Sequence, residues 1–169
     1  AKILVELGAH EIFIGPVGDL VLAHPVNRML QRIDAGVGGN GALVVTSGSG
    51  SYGGAVTLGA SSSIGGNGSL TLGVTVDDAV AGTSTLTQVG AGTLTFSGAV
   101  GATAIAAVTT SAGQTTAING GSVSTTGAQT YGGIVTTSGA TTLTSTSGSN
   151  IAANNTGNNF TGDLILSTT

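Results

Sequence analysis

A short phrase recurs along most of this 169-residue chain: a Gly-rich turn followed by an apolar residue in a strand-like context. The intervals between these apolar residues are 27, 24, 29 and 28, and the residues are Leu43, Leu70, Leu94, Val123 and Ile151. A second phrase, aromatic-x-Gly-x-apolar, begins at Tyr52, Phe96, Tyr131 and Phe160. A period of roughly 20–50 residues is typical of a solenoid, because one repeat cannot bury its apolar face alone and must stack on a neighbour.

Between the Gly-rich turns, apolar and small polar residues alternate, as in SLTLGVTV (69–76) and GTLTFSG (92–98). Alternation with period two places the apolar side chains on one face of a strand and Thr and Ser on the other. Charged residues are only 6% of the chain, which suits stacked strands, since like charges in a ladder would repel. A ladder here means a row of equivalent side chains in successive coils. The mean hydropathy of +0.43 argues against disorder.

These patterns predict an all-β fold, a parallel β-helix (β-solenoid) over residues 35–169 with about five turns of roughly 27 residues. The nine residues of the two phrases are expected to form its inward ladders. Residues 1–34 differ in composition, because they hold every Lys, Arg and His of the chain. Apolar runs at 3–7, 12–14 and 20–23 predict strands there, and 26–33 could form one or two helical turns capped by Asn27. We expect residues 1–34 to be a β-rich cap or an inter-subunit docking segment.

The sequence contains few residues that could carry chemistry. It has no Cys, and beyond Arg32 it has no Lys, Arg or His. An acid–base site for an anionic sugar would therefore lack its cation within the repeats, and we expect no catalytic residue, cofactor or metal. The pair Asp77–Asp78 predicts a solvated turn, since two carboxylates supply too few oxygens for calcium.

Other candidate motifs are explained without a functional site. GVGGNG (36–41) has the spacing G-x-G-x-x-G, but the residues after it read as a strand and a turn, whereas a dinucleotide site needs a helix. Glu6, His10, Glu11 and His24 lack metal-site spacing, so we interpret them as surface residues. No basic patch predicts nucleic-acid binding, and no apolar stretch is long enough to insert into a membrane.

Two segments carry a family resemblance. LTQVGAGTLTFSGAV (86–100) resembles the repeats in passenger regions of bacterial autotransporters. TAINGGSVSTTGAQTYGGIVTTSGATTLTSTSGSNI (116–151) and NNTGNNFTGDLIL (154–166) are similar to repeats of filamentous-haemagglutinin-like adhesins. Over residues 34–169 the resemblance implies a right-handed parallel β-helix, located on the bacterial surface or secreted from the cell.

The leading functional hypothesis is a non-catalytic structural and adhesive segment, a stiff stalk or fibre of a bacterial surface or extracellular-matrix protein. Its partners would be further repeats of the same protein, a second copy bound end to end, or a host or matrix surface. One alternative is a subunit of a head-to-tail homopolymeric filament. Alternatives of another class are a carbohydrate-active β-helix and an ice-binding solenoid. Thr pairs at 85/87, 93/95 and 142/144 suggest ice binding, although they do not recur at one position of the repeat.

Overall fold

The computed structural model of the protein describes residues 41–169 together with four strands nearer the N-terminus, 3–6, 11–14, 19–22 and 32–33; side chains are described from Leu43 onward. The described residues are all-β and contain no helix. Their 21 strands form three sheets of nine, five and seven strands, which we name sheets I, II and III.

Sheet I begins with two antiparallel pairings and continues as a parallel sheet. Its strands are β1 (Ile3–Glu6), β2 (Glu11–Ile14), β3 (Asp19–Leu22), β5 (Gly41–Val45), β8 (Ser62–Gly65), β11 (Thr85–Val89), β14 (Ala107–Thr110), β17 (Gln129–Tyr131) and β20 (Ile151–Ala153). Sheet II is parallel throughout and consists of β6 (Ser49–Tyr52), β9 (Ser69–Leu72), β12 (Thr93–Phe96), β15 (Thr115–Ile118) and β18 (Ile134–Thr137).

Sheet III is also parallel. It consists of β4 (Arg32–Ile33), β7 (Val56–Leu58), β10 (Val76–Asp78), β13 (Val100–Ile105), β16 (Ser122–Thr125), β19 (Thr141–Ser145) and β21 (Leu164–Thr168). From β5 to β19 each coil contributes one strand to sheet I, one to sheet II and one to sheet III, in that order; the last coil contributes β20 to sheet I and β21 to sheet III. The fold is therefore a parallel β-solenoid, as the alternation and the repeats predicted, and the structure shows that it has three sides.

The coils are shorter and more numerous than we expected. Ile118 pairs with Thr137, 19 residues later, whereas Leu72 pairs with Phe96, 24 residues later. Six coils follow one another between β5 and β21. The prediction of about five turns of roughly 27 residues was wrong, because each coil has three corners and the Gly-rich phrase occurs at different corners in different coils.

The same cause corrects the predicted ladders. Leu70 and Leu94 are true partners, in β9 and β12. The remaining members of the first set lie on other sheets: Leu43 and Ile151 in sheet I, and Val123 in sheet III. Ile151 is half-buried, whereas the other four are in the core.

The aromatic set is divided in the same way. Tyr52 and Phe96 both belong to sheet II, with Leu72 between them in the register. Tyr131 lies in sheet I, and Phe160 lies outside the named strands. Tyr52, Phe96 and Tyr131 are buried, whereas Phe160 is half-buried against the core.

The actual ladders join residues of one sheet. On sheet III the inward row is aliphatic in five successive coils and consists of Val56, Val76, Val100, Val123 and Leu143. On sheet II the inward row is apolar from Tyr52, through Leu72 and Phe96, to Ile118. Stacking at the strand spacing of about 4.8 Å keeps each apolar side chain in contact with its counterparts and removes it from water.

Glycine is required at the corner between sheets I and II. Gly66 and Gly90 stack there in successive coils, with φ of 110° and 79°. A Cβ at Gly90 would collide with the backbone of Gly66, and a Cβ at Gly66 would collide with the carbonyl group of Val45. Glycine thus serves both the left-handed backbone and the close approach of neighbouring coils.

The predictions for the N-terminal segment agree with the described backbone in part. The three apolar runs correspond to β1, β2 and β3. Arg32 and Ile33 form β4, not the end of a helix, and residues 23–31 lie outside the described part of the chain. Strands β3 and β4 pair with β5 and β7, so strand pairing crosses the boundary expected near residue 35. The role of residues 1–34 as a cap or docking segment stays a prediction.

Candidate functional site

The interior of the middle coils contains amides as well as aliphatic side chains. Gln88 lies at an inward position of β11 and is 3% exposed. Its Nε2 donates to the carbonyl oxygen of Thr115 at 2.9 Å, and its Oε1 accepts from the hydroxyl of Thr116 at 2.6 Å. Both partners belong to the next coil, so Gln88 joins two coils through its side chain.

A second glutamine, Gln114, bonds the backbone at the corner that follows β11. Gln114 precedes β15, and its Nε2 donates to the carbonyl oxygens of Gln88, at 3.0 Å, and Gly90, at 2.6 Å. Its Oε1 accepts from the amide of Ser111 at 2.9 Å. The two carbonyl groups at this corner of one coil thus receive hydrogen bonds from a side chain of the next coil. Buried polar groups need such partners.

A third glutamine forms a separate cluster one coil further on. Gln129 is fully buried in β17, and its Nε2 donates to the carbonyl oxygen of Thr144 at 2.8 Å and to that of Val123 at 3.2 Å. The hydroxyl of Tyr131 donates to Gln129 Oε1 at 2.9 Å. Burial raises the pKa of Tyr131, so the phenol stays protonated and keeps donating across the ordinary pH range.

Sequence reasoning missed these glutamines, although a signal was present. Within TLTQV (85–89) Gln88 has the same inward parity as Leu86, and Gln129 has the same parity as Tyr131. A polar residue at an apolar position of the period-two pattern is the signal of an internal hydrogen-bonding role. The groups bond one another and the backbone, which is a structural arrangement.

The two neighbouring aspartates differ from the prediction of a solvated turn. Asp77 and Asp78 are the last residues of strand β10, and successive side chains of a strand point to opposite faces. Asp78 is 3% exposed; its carboxylate accepts from the amides of Thr83 at 2.9 Å and Ser84 at 2.8 Å. Asp78 therefore holds the backbone of the loop 79–84. Asp77 accepts from the amide of Thr103, in the next coil, at 3.0 Å.

The charge of Asp78 is stabilised in the folded state. Burial alone would raise its pKa, but the hydrogen bonds from Ser84 and Thr83 outweigh burial and hold the pKa below the ordinary value of 3.8. Because the two carboxylates serve different loops, they do not form an acid–base pair. Within the described residues no three His, Cys, Asp or Glu side chains lie close enough together to hold a metal ion.

Several other candidate site residues lie only partly within the described part of the chain. His10 and His24 lie outside the described residues, whereas Glu6 and Glu11 are backbone partners in β1 and β2. Of GVGGNG (36–41) only Gly41 is described. It begins strand β5, which is followed by a turn and strand β6, as the sequence predicted, and not by the helix of a nucleotide site.

The last coil has an open, mainly apolar interior. A pocket of about 420 Å³ is lined there by side chains that include Ile151, Phe160, Leu164 and Leu166, with Asn150 and Asn154 at its polar side. On β21, Ile165 is 53% exposed and Leu166 is 55% exposed. The described side chains that line this pocket are all uncharged.

The outer face of sheet II carries two parallel rows of small side chains. One row is Ser49, Ser69, Thr93, Thr115 and Ile134, and the other is Ser51, Thr71, Thr95, Ala117 and Thr136. None of the eight hydroxyl groups in these rows bonds another protein group in the described part of the chain. The three Thr pairs singled out from the sequence lie on three different sheets, in β11, β12 and β19.

Fold and surface together place the protein in the class of three-sided parallel β-solenoids. No family model, no curated protein and no solved structure matches the chain. The residues described by the structure include no helix that is long and apolar enough to cross a membrane.

The Gln129–Tyr131 hydrogen bond can be tested with a double-mutant cycle. We expect Gln129→Leu to lower stability strongly, because each buried partner left unsatisfied costs about 1–3 kcal/mol. The Tyr131→Phe variant removes the donor, so Gln129→Leu should cost less in the Tyr131→Phe background than in the wild type. Urea unfolding followed by circular dichroism measures the four proteins. Additive effects of the two changes would contradict a direct bond.

The Asp78 carboxylate predicts a pH dependence of stability. Since its folded pKa lies below 3.8, its contribution is complete above pH 3.8 and is lost as the pH falls through the lower, folded pKa. Asp78→Asn should destabilise by about 1–3 kcal/mol at pH 7, because hydrogen bonds to a charged acceptor are replaced by neutral ones. The difference from wild type should shrink below pH 3.8.

The matched control is Asp77→Asn, which alters the neighbouring, more exposed carboxylate with its single amide partner. Thermal unfolding at pH 7 and at several acidic pH values measures all three proteins. An Asp77→Asn effect as large as that of Asp78→Asn would contradict a specific contribution from the hydrogen bonds of Asp78 to the loop 79–84.

Proposed function

We propose that this chain is a non-catalytic structural and adhesive β-solenoid, a stiff stalk or fibre segment of a bacterial surface or extracellular-matrix protein. The observation that carries the proposal is the continuity of bonding from coil to coil. Sheets I, II and III each run through successive coils in parallel register, and the side chains of Asn67, Asp77 and Gln88 bond the following coil as well.

Such bonding favours a rod that transmits force. Neighbouring coils are joined on three sides, so bending the axis requires several strand pairings to open together. Five spacings of about 4.8 Å separate six coils, which gives a rod of roughly 25 Å in this chain. Solenoid stability is approximately a sum over coils and their interfaces, so such a rod can be lengthened by adding repeats.

The resemblance of segments 86–100 and 116–151 to autotransporter and haemagglutinin-like repeats supports a location outside the bacterial cell. The exposed turns and outer faces would contact the host or matrix surface. Their small, neutral side chains suit many weak contacts over a long surface better than one deep site.

Adhesion can be measured with beads that carry the purified chain on a flexible tether. We expect the beads to bind cell or matrix surfaces more than beads carrying a heat-unfolded sample of the same protein, because the folded outer surface makes the contacts. A panel of polysaccharides incubated with the protein should release no reducing ends. Binding no greater than that of the unfolded control would remove the adhesive function, and polysaccharide cleavage would favour the carbohydrate-active alternative.

A second candidate is head-to-tail association into a homopolymeric filament. The exposed Leu166 and the apolar pocket of the last coil favour it, since a further coil would cover both. The covering coil would come from a second copy of the chain or from further repeats of the same protein.

Sedimentation velocity and negative-stain microscopy test this association. The wild type should form larger, elongated species as its concentration rises, and Leu166→Lys should prevent them by placing a charge on the apolar surface. Ser167→Lys is the matched control on the same strand, because Ser167 belongs to the outer face. Uniform single particles of the wild type at high concentration would contradict the filament.

A further inference from the structure

The outer face of sheet II has a regularity that the sequence did not reveal. Its five strands pair in continuous parallel register, so the two rows of side chains form a rectangular grid. Neighbours within a row are about 4.8 Å apart, and the two rows are about 6.6 Å apart, since they use alternate residues of each strand.

The grid is chemically uniform. Eight of its ten positions are Ser or Thr, and the other two are Ala117 and Ile134. It contains no charged or long flexible side chain. The β-branched Thr side chains have restricted χ1 rotation, so their hydroxyl and methyl groups are ordered before any partner arrives. Because these hydroxyls bond no other group among the described residues, they are available to water.

The other two outer faces differ from this one. On sheet III the outer row includes the charged Asp77, paired with Thr57, and β13 introduces a register shift next to β16. On sheet I the row through Thr87, Thr109 and Thr130 consists of hydroxyl side chains, but in the row beside it Thr85 pairs with Ala107, so the second row loses its hydroxyl there. Sheet II alone among the described faces combines two hydroxyl-rich rows, regular register and no charge.

We propose that the outer face of sheet II binds ice. The repeat distances of the grid are of the size of the oxygen repeats on the faces of hexagonal ice, so the hydroxyls can hold water molecules in positions that continue the crystal. The uncharged face complements an uncharged solid, and adsorption on a growing crystal needs many weak, simultaneous contacts. This activity is additional to the structural role, and a stiff solenoid supports it by keeping the grid fixed.

Thermal hysteresis and the shape of single ice crystals test the proposal. The wild-type protein should lower the freezing temperature below the melting temperature and give faceted crystals. Thr95→Lys places a long charged chain at the centre of the grid and should abolish most of the hysteresis. Thr109→Lys, on the outer face of sheet I, is the matched control and should keep it.

Circular dichroism establishes that each variant is folded. Should Thr95→Lys fail to fold, Ser51→Lys replaces it, because Ser51 is an exposed member of the same grid. Sedimentation velocity distinguishes ice binding from pairing of two copies through this face. Absence of hysteresis and of faceting in the wild type overturns the proposal, as does equal loss in Thr109→Lys, or a wild-type dimer that Thr95→Lys dissociates without change in hysteresis.

Discussion

The structure depends on the parallel, in-register stacking of coils. Stacking pairs the backbone of every strand with its neighbours and places each side chain next to its counterpart in the adjacent coils. An aliphatic counterpart gives a continuous core, as in the row from Val56 to Leu143 on sheet III. A charged counterpart would repel, which explains why Thr and Ser, and not Lys or Glu, occupy the outer rows.

The buried polar groups show how a solenoid tolerates irregular coils. Coil lengths differ, so corner carbonyls and loop amides do not all find backbone partners. Gln114 satisfies carbonyls of Gln88 and Gly90, and Asp78 satisfies amides of the loop 79–84. These side chains act as local substitutes for ladder bonds, which is why they are buried and lie beside turns.

The sequence predicted the strands better than their arrangement. Alternation located β9 and β12, because side-chain parity is a local property of a strand, and short apolar runs located β1, β2 and β3. The coil length was wrong, since the Gly-rich phrase marks a corner without saying which of three corners it is. The candidate surface on sheet II could not be predicted for the same reason: Thr93 and Thr115 become neighbours only once the register is known.

By itself the sequence determined that the repeats fold as stacked strands with an aliphatic interior, because period two, Gly-rich turns and the lack of charge together favour that state. Only the tertiary structure decided which residues share a ladder and that Gln88, Gln129 and Asp78 are buried. It also decided that one outer face presents an ordered hydroxyl grid. Register is a relation between residues 19–24 positions apart, and it is fixed by the corners and loops of each coil together, which no local pattern contains.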